Sequence, residues 1–458
     1  MQNKPNFLLF FSDQHRGDWM PYDEETKKRL GVSELELRMP SIGRMMQCGT
    51  TFTHAISPAP VCAPARACLA SGQNYRKCRV YQNNVNYDPA LPSFYGMLRE
   101  DGYYVTGVGK FDLNKGDLTW GNLKEYGFSD AKDSEGKMDT IWASMHGKPG
   151  PYGQILENAG WMEKHMDDMI HRGRKDIVTP LPDEYYADNW IGQQAVECIE
   201  KLPADQPWFM QINFSGPHDP WDVTESMKNS VRNRKFPDAA ECDFAESNQG
   251  VRQNYAAMIE NIDRNIGRCI EELEKREMLD NTILIYSADH GEMMGDHGKY
   301  GKSKPEQGSI HIPLVIDSSH YSSTERQRAD SPVQLQDLAA TFLDYAGITA
   351  CKELDSRTLR PVVDGREKSV RKCAVSELIV RREMEPFESF LAITDGEWKA
   401  IFSPGKGNRL YHLLTDPFEC RNLCDENADQ IHYLRLLLSD QQGPPNKIFQ
   451  EYKKSFDA

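Results

Sequence analysis

No apolar run in the chain approaches the roughly 20 residues that a bilayer-spanning helix needs, so no membrane-spanning helix is expected. Positive charge is also in deficit: 54 Lys and Arg against 69 Asp and Glu leave a formal net charge of −15. That balance argues against a nucleic-acid or anionic-membrane surface. It also means that an anionic substrate has to be captured by a local group of cations or a metal, because the overall field repels it. Cysteine is present but unorganised. The 11 Cys are odd in number and follow no framework spacing, and Cys420 and Cys424, a close pair near the C-terminus, lack the paired repeat of a zinc site. A reducing compartment, or at least a fold independent of disulfides, fits this usage. There is no internal repeat and no low-complexity tract, and the apolar run Asn6–Phe11 is not expected to be a secretory leader, since it is too short and no small-residue cleavage site follows it. The chain therefore reads as cytoplasmic, or as periplasmic had a leader been removed, with neither nucleic acid nor membrane among its partners.

What is present is an alternation of short apolar runs with amphipathic stretches, which predicts an α/β fold: a large, mostly parallel sheet covered by helices. Strands are expected at Phe7–Phe11, Tyr104–Val108, Trp208–Phe214, Thr282–Tyr286 and Ile312–Ile316, and helices at Ser93–Glu100, Tyr185–Leu202 and Gln253–Glu274. Tyr255, Met258, Ile259, Ile262, Ile266, Ile270 and Leu273 form one stripe on the last helix, a core-facing pattern. Between Gly116 and Pro182 the pattern loosens into Gly, Pro, Asp and scattered aromatics (Trp120, Trp142, His146, Tyr152, Trp161), the texture of a lid or substrate wall. After a polar loop at Ser318–Asp330, Val333–Ala346 reads as a helix. From about Arg371 the grammar becomes that of hairpins, with short strands at Cys373–Ser376, Ser389–Ile393, Trp398–Phe402 and Arg409–Leu413, then a helix at Ala428–Ser439. These features divide the chain into a catalytic α/β domain over residues 1–370 and a smaller C-terminal unit over 371–458, an antiparallel sheet plus helix.

Several strand ends carry chemistry. In a parallel sheet, ligands bind at the C-terminal ends of strands. Asp13-Gln14 follows the first strand and offers a carboxylate and an amide oxygen to a hard cation. A lone strand-end Asp is more often a cap or turn former, so the weight lies in the company it keeps. Asp289-His290-Gly291 follows Thr282–Tyr286 and runs on to Gly295-Asp296-His297-Gly298-Lys299 and Lys302. Gly107-Val108-Gly109-Lys110 and Gly216-Pro217-His218-Asp219-Pro220 close two more strands. Cys62-Ala63-Pro64-Ala65-Arg66 opens a small-residue helical stretch, where helix N–H groups favour an anion. Alone, Cys62 would be a small buried hydrophobe, as Cys68, Cys78, Cys198 and Cys269 are expected to be.

Together these segments resemble the formylglycine-dependent type I sulfatases of the alkaline phosphatase-like superfamily, over nearly the whole chain. The resemblance implies that Cys62 is oxidised to formylglycine by a formylglycine-generating or an anaerobic sulfatase-maturating enzyme, and that the aldehyde hydrate is the nucleophile on sulfur. Asp13, Gln14, Asp289 and His290, with the modified Cys62, match the family's metal positions; calcium is the family default, with magnesium or manganese as alternatives. Arg66 would steady the hydrate and the ligands, while Lys110, His218 and Lys302 would face the sulfate. Either His218 or Lys302 would protonate the leaving oxygen. Asp112 stands where the family has His after Gly-Lys-x, and either pairs with Lys110 or binds a sugar hydroxyl. Asp296 and His297 either face the substrate or order their loop, and Asn83 is either a turn former or a polar substrate contact. The implied substrate is a sulfated carbohydrate. Rival readings are a phosphonate monoester or phosphodiester hydrolase, a phosphatase-like relative with a Ser or Thr nucleophile, and a non-catalytic glycan-binding relative.

Overall fold

The computed structural model describes residues 4–117, 119–121, 123–171, 176–240, 248–322, 326–349, 351–380 and 388–457. An uninterrupted run of Phe and Leu suits a strand covered on both faces, and strand Asn6–Asp13 is buried along its whole length. Successive side chains point to opposite faces: Phe7, Leu9 and Phe11 enter one apolar core, Leu8 and Phe10 the other. Among the described residues this strand lies inside a nine-stranded sheet. The order is Gln327–Ala329, Thr50–Ile56, His311–Asp317, Thr282–Ala288, Asn6–Asp13, Trp208–Pro217, Tyr104–Gly109, Asp130–Asp133, with Val333–Gln334 also paired to Thr50–Ile56. Every pairing is parallel except those of His311–Asp317, which runs antiparallel to both its neighbours.

Helices cover both faces. Helix Gln249–Lys275 is started by Asn248, whose side chain accepts from the N–H of Val251, and it buries the predicted stripe from Tyr255 to Leu273 in one core. Each such aliphatic or aromatic side chain contributes about 1.5–3 kcal/mol by leaving water. On the other face, helices Cys62–Ser71, Phe94–Glu100 and Asp337–Ala346 pack Leu69, Phe94 and Phe342 against Phe7 and Phe209. Strands Ala374–Leu378, Phe390–Thr394, Trp398–Ser403 and Gly407–His412 form an antiparallel sheet in sequence order. Helix Ala428–Gln442 lies against this sheet, and Val375, Leu391 and Leu434 share a core with Phe11 and Leu338.

The structure differs from the sequence reading in several places, among them strand Gln327–Ala329, which lies inside the expected polar loop Ser318–Asp330. Strand Thr50–Ile56 was not anticipated, because its Thr-rich sequence breaks the apolar signal; inside the sheet, Thr53 Oγ1 finds Asp330 Oδ1 at 2.7 Å. The expected helix Val333–Ala346 begins as the short strand Val333–Gln334, and helix starts only at Asp337. The stretch 116–182 is more regular than its composition suggests, with helices Lys137–Met145, Pro151–Asn158 and Met162–His171, the first two entered through Gly136 and Gly150-Pro151. Helix Pro445–Asp457 follows the one expected at the C-terminus. The expectation of a fold independent of disulfides is corrected at Cys420, which is disulfide-bonded, whereas the other described cysteines are free. Cys68, Cys78 and Cys269 are buried, and Cys198 is only partly so. Among the described residues no helix is long and apolar enough to cross a membrane.

Candidate active site

The sheet register creates the site. Ser12 is paired with Ala288, so the next residue of each strand, Asp13 and Asp289, comes out side by side at the C-terminal edge. Gln14 follows in a left-handed conformation (φ 70°). Its N–H donates to Asp289 Oδ1 at 3.0 Å, and its carbonyl accepts from Tyr255 at 2.7 Å. Cys62 is the first residue of helix Cys62–Ser71, all of whose residues are buried. The helix is built largely of small Ala and Cys residues, and its first turn brings Cys62 and Arg66 to Asp13 and Asp289. The Cys62 Sγ lies 3.3 Å from His290 Nε2 and 3.6 Å from Asp13 Oδ1.

Arg66, one turn further, joins the two carboxylates: Nε donates to Asp289 Oδ2 at 3.0 Å and Nη2 to Asp13 Oδ2 at 3.3 Å. Its Nη1 also reaches the Lys110 carbonyl and, at 3.2 Å, Asn213 Oδ1. Lys110 follows strand Tyr104–Gly109 and pairs with Asp13. Burial would push the Asp13 carboxyl up, but Lys110, His218, Lys302 and Arg66 bring it well below the usual carboxylate range. Asp289 moves the other way, raised by burial and by the charge of Asp13. Burial and Asp13 disfavour a Cys62 thiolate, yet Lys110, Lys302 and His290 outweigh them and lower the thiol well below its ordinary value.

Ligand atoms of Asp13, Cys62, Asp289 and His290 all lie within 4.8 Å of one another. Gln14 Oε1 is buried without a hydrogen-bond partner. A buried amide oxygen of this kind costs free energy unless something polar meets it, and two carboxylates, an imidazole and an orphaned oxygen suit a divalent cation. The residues present therefore fit a metal.

On the open side of Cys62, Lys302 Nζ lies 2.8 Å from Sγ and 2.6 Å from His218 Nε2, with Lys110 Nζ 3.8 Å from Sγ. These three residues form the floor of a cavity of about 460 Å³. Asn83, Lys115, Asp139, Trp142 and Tyr300 line its walls. Asn83 Oδ1 accepts from the N–H of Ala63 at 3.0 Å, so the side chain both ties down the start of the Cys62 helix and borders the cavity. Asp112 is buried, with Oδ2 3.4 Å from Lys110 and 3.3 Å from Lys115. His297 is not brought to this cavity. Its Nε2 meets the carbonyl of Phe418 at 2.8 Å, and it borders a separate small cavity with Asp296, Arg16 and Phe418. The geometry thus gives His297 and Asp296 the loop-ordering alternative. Sequence reasoning passed over Lys115 and Asp139, which pair at 2.7 Å, because neither sits in a motif. Of the scattered aromatics only Trp142 lines the cavity, while Tyr152 is core and Trp120 lines another pocket.

The profile of the sulfatase family matches residues 5–348. The chain belongs to the sulfatase family. A second profile, the C-terminal region of N-sulphoglucosamine sulphohydrolase, matches residues 295–441. Membership in this family, together with relatives that are sulfatases, makes the protein a sulfuric ester hydrolase. It is 26% identical to a choline-sulfatase of Rhizobium meliloti (strain 1021), covering 92% of this chain and 83% of that one. It is 25% identical to an arylsulfatase of Clostridium perfringens (strain 13 / Type A), covering 95% and 94%. In fold it is similar to the phosphonate monoester hydrolase of Agrobacterium radiobacter (TM-score 0.77, 23% identity, 95% and 96% covered). It is also similar to a structure solved with its substrate D-glucosamine-2-N,6-O-disulfate (TM-score 0.75, 18% identity, 96% and 98% covered).

Proposed function

We propose that this sulfatase hydrolyses the sulfate monoester of a sulfated carbohydrate, with residue 62, matured from Cys to formylglycine, as nucleophile. The observation that carries this reading is that Lys302 and Lys110 meet Cys62, with His218 on Lys302, at the floor of a single cavity. In the unmodified chain, Sγ of Cys62 stands in for the hydroxyl oxygen of the matured residue. A sulfate ester resists attack because its oxygens are negative, so its hydrolysis needs cations placed where that charge moves. A divalent cation, calcium before magnesium or manganese, held by Asp13, Gln14, Asp289 and His290, would lower the pKa of the residue-62 hydroxyl.

The protein's own residues do the rest. Arg66 holds Asp13 and Asp289 at fixed separation although both are buried. Lys110, Lys302 and His218 take the sulfate oxygens, and either Lys302 or His218 gives the proton to the leaving oxygen. Trp142, 53% exposed, offers a flat apolar surface to a sugar ring, while Asn83, Lys115 and Asp139 supply polar contacts around it.

The test compares turnover of an aryl sulfate and an aryl phosphonate after co-expression with a maturating enzyme, alongside the mass of the tryptic peptide containing residue 62. Conversion of thiol to aldehyde, with sulfate preferred and activity abolished in Cys62→Ala, is the expected result. Preference for the phosphonate would replace this reading with that of a phosphonate monoester hydrolase. An unmodified thiol beside a matured control substrate would remove the nucleophile.

A further inference from the structure

Glu292 lies three residues beyond Asp289 and is completely buried. A buried carboxylate is ordinarily held by a cation, yet among the described residues none forms an ion pair with Glu292. Its partners are neutral. Oε1 accepts from the N–H groups of Met294 at 3.0 Å and Gly301 at 2.6 Å. Oε2 accepts from Nε2 of Gln14, whose amide group is also 3.4 Å from Asp219 Oδ1. Gln14 is itself completely buried, and its Oε1 has no partner.

An amide has one donor end and one acceptor end, and an ionised carboxylate only accepts. Glu292 therefore dictates which end of Gln14 faces it, and so which end faces the Asp13–Asp289–His290 cluster. In the structure the NH2 of Gln14 faces the Glu292 carboxyl and the oxygen is left for a cation. With the opposite orientation, an N–H would point at the cation and repel it. The same carboxylate holds the N–H of Gly301, immediately before Lys302, whose Nζ meets Cys62 and His218.

We propose that Glu292 is a positioning residue for the cation site: it locks the Gln14 amide with its oxygen inward, and through Gly301 it ties that ligand to the lysine at the sulfate floor. This rests on the reading of a divalent cation at that cluster. Partners behind metal ligands typically change metal affinity 10–100-fold when lost.

The test is a pair of exchanges in the full chain, with Ca2+ titrated calorimetrically and Mn2+ in a parallel series. In Glu292→Gln, the new amide oxygen can still accept from Met294 and Gly301, but its NH2 then faces Gln14 and forces that amide to turn over. Affinity is expected to fall at least about tenfold, while the cation-free melting temperature stays near that of the wild type. In Gln14→Glu combined with Glu292→Gln, the carboxylate has moved to position 14, where one oxygen accepts from the new amide at position 292 and the other faces the cation. Affinity is expected to return to at least the wild-type value. Wild-type binding with an unaffected Glu292→Gln variant, or a double variant without rescue, overturns the assignment to Glu292 alone. A wild-type protein that binds neither ion overturns the cation reading and this proposal with it.

Discussion

Lys302→Ala isolates the electrostatic argument most cleanly. Lys302 Nζ sits 2.8 Å from Cys62 Sγ and 2.6 Å from His218 Nε2, and among the described residues no carboxylate neutralises it by an ion pair. It differs in this from Lys110, whose charge is shared with Asp13 and Asp112. A unit charge about 4 Å from a developing negative oxygen contributes about 4 kcal/mol at an effective dielectric of about 20. Mutational losses of single oxyanion donors, about 2.7–4 kcal/mol or 10²–10³-fold in kcat, agree with that figure. The expected result is a fall of at least about 100-fold in kcat for an activated aryl sulfate. Because Lys302 is only partly buried, the denaturation midpoint should barely move. Steady-state kinetics on matured enzyme, with equal occupancy of residue 62 checked by mass spectrometry, makes the measurement. A variant with wild-type kcat and a raised KM would show that Lys302 binds the ground state and transition state equally. A variant with both constants unchanged would refute the sulfate floor altogether.

Three further outcomes are expected. Arg66→Ala leaves two buried carboxylates facing each other without their shared cation, and should cost about 3–5 kcal/mol in urea denaturation, with the deficit shrinking when Ca2+ is added; an equal loss with and without Ca2+ would count against a cation between them. Glu377, in the C-terminal sheet, is pushed up to about 7 by burial, partly opposed by Arg76. Because its folded value exceeds the unfolded one, its contribution is full below the unfolded pKa and disappears as pH rises to about 7, up to about 3 kcal/mol in all; Glu377→Gln should flatten that decline in the denaturation midpoint, and an unchanged slope would exclude Glu377 as its source. Trp142→Ala should raise KM for a sulfated monosaccharide several-fold while leaving kcat for a small aryl sulfate alone, and a matching loss on both substrates would speak against a sugar platform.

How much of this was legible in the sequence depends on the reach of each interaction. The central strand was plain, because Phe7–Phe11 is apolar without a break, and the stripe on helix Gln249–Lys275 could be read from its period. Thr50–Ile56 was not, since its Thr hydroxyls look polar until partners such as Asp330 are known. The segments at Asp13, Cys62, Lys110, His218, Asp289 and Lys302 carry local motifs, and the structure brings Lys110, His218 and Lys302 to one cavity with Asp13, Cys62 and Asp289 buried beside them. Lys115, Asp139 and Glu292 have no such signature: their meaning lies in partners such as Asp112 and Gln14, which only the fold brings near. His297 shows the reverse case, a residue inside a suggestive run whose contact with the Phe418 carbonyl is set by tertiary structure.

The sheet order has a consequence for how activity is acquired during folding. Strands Thr282–Ala288, Asn6–Asp13, Trp208–Pro217 and Tyr104–Gly109 are neighbours in space, and the candidate metal and sulfate residues sit just beyond their ends or in the closing turns. In the chain, Asp13 and Asp289 are separated by most of the protein. Such pairings close large loops, and non-local contacts of this kind form slowly. Asp13, Gln14 and Cys62 lie in the first 62 residues, whereas Asp289, His290 and the sulfate floor lie beyond residue 109, so a partly folded chain has native helices but an incomplete site. Recovery of catalysis on refolding is therefore a timer for the docking of Asn6–Asp13 between its two parallel neighbours, and it trails the return of secondary structure.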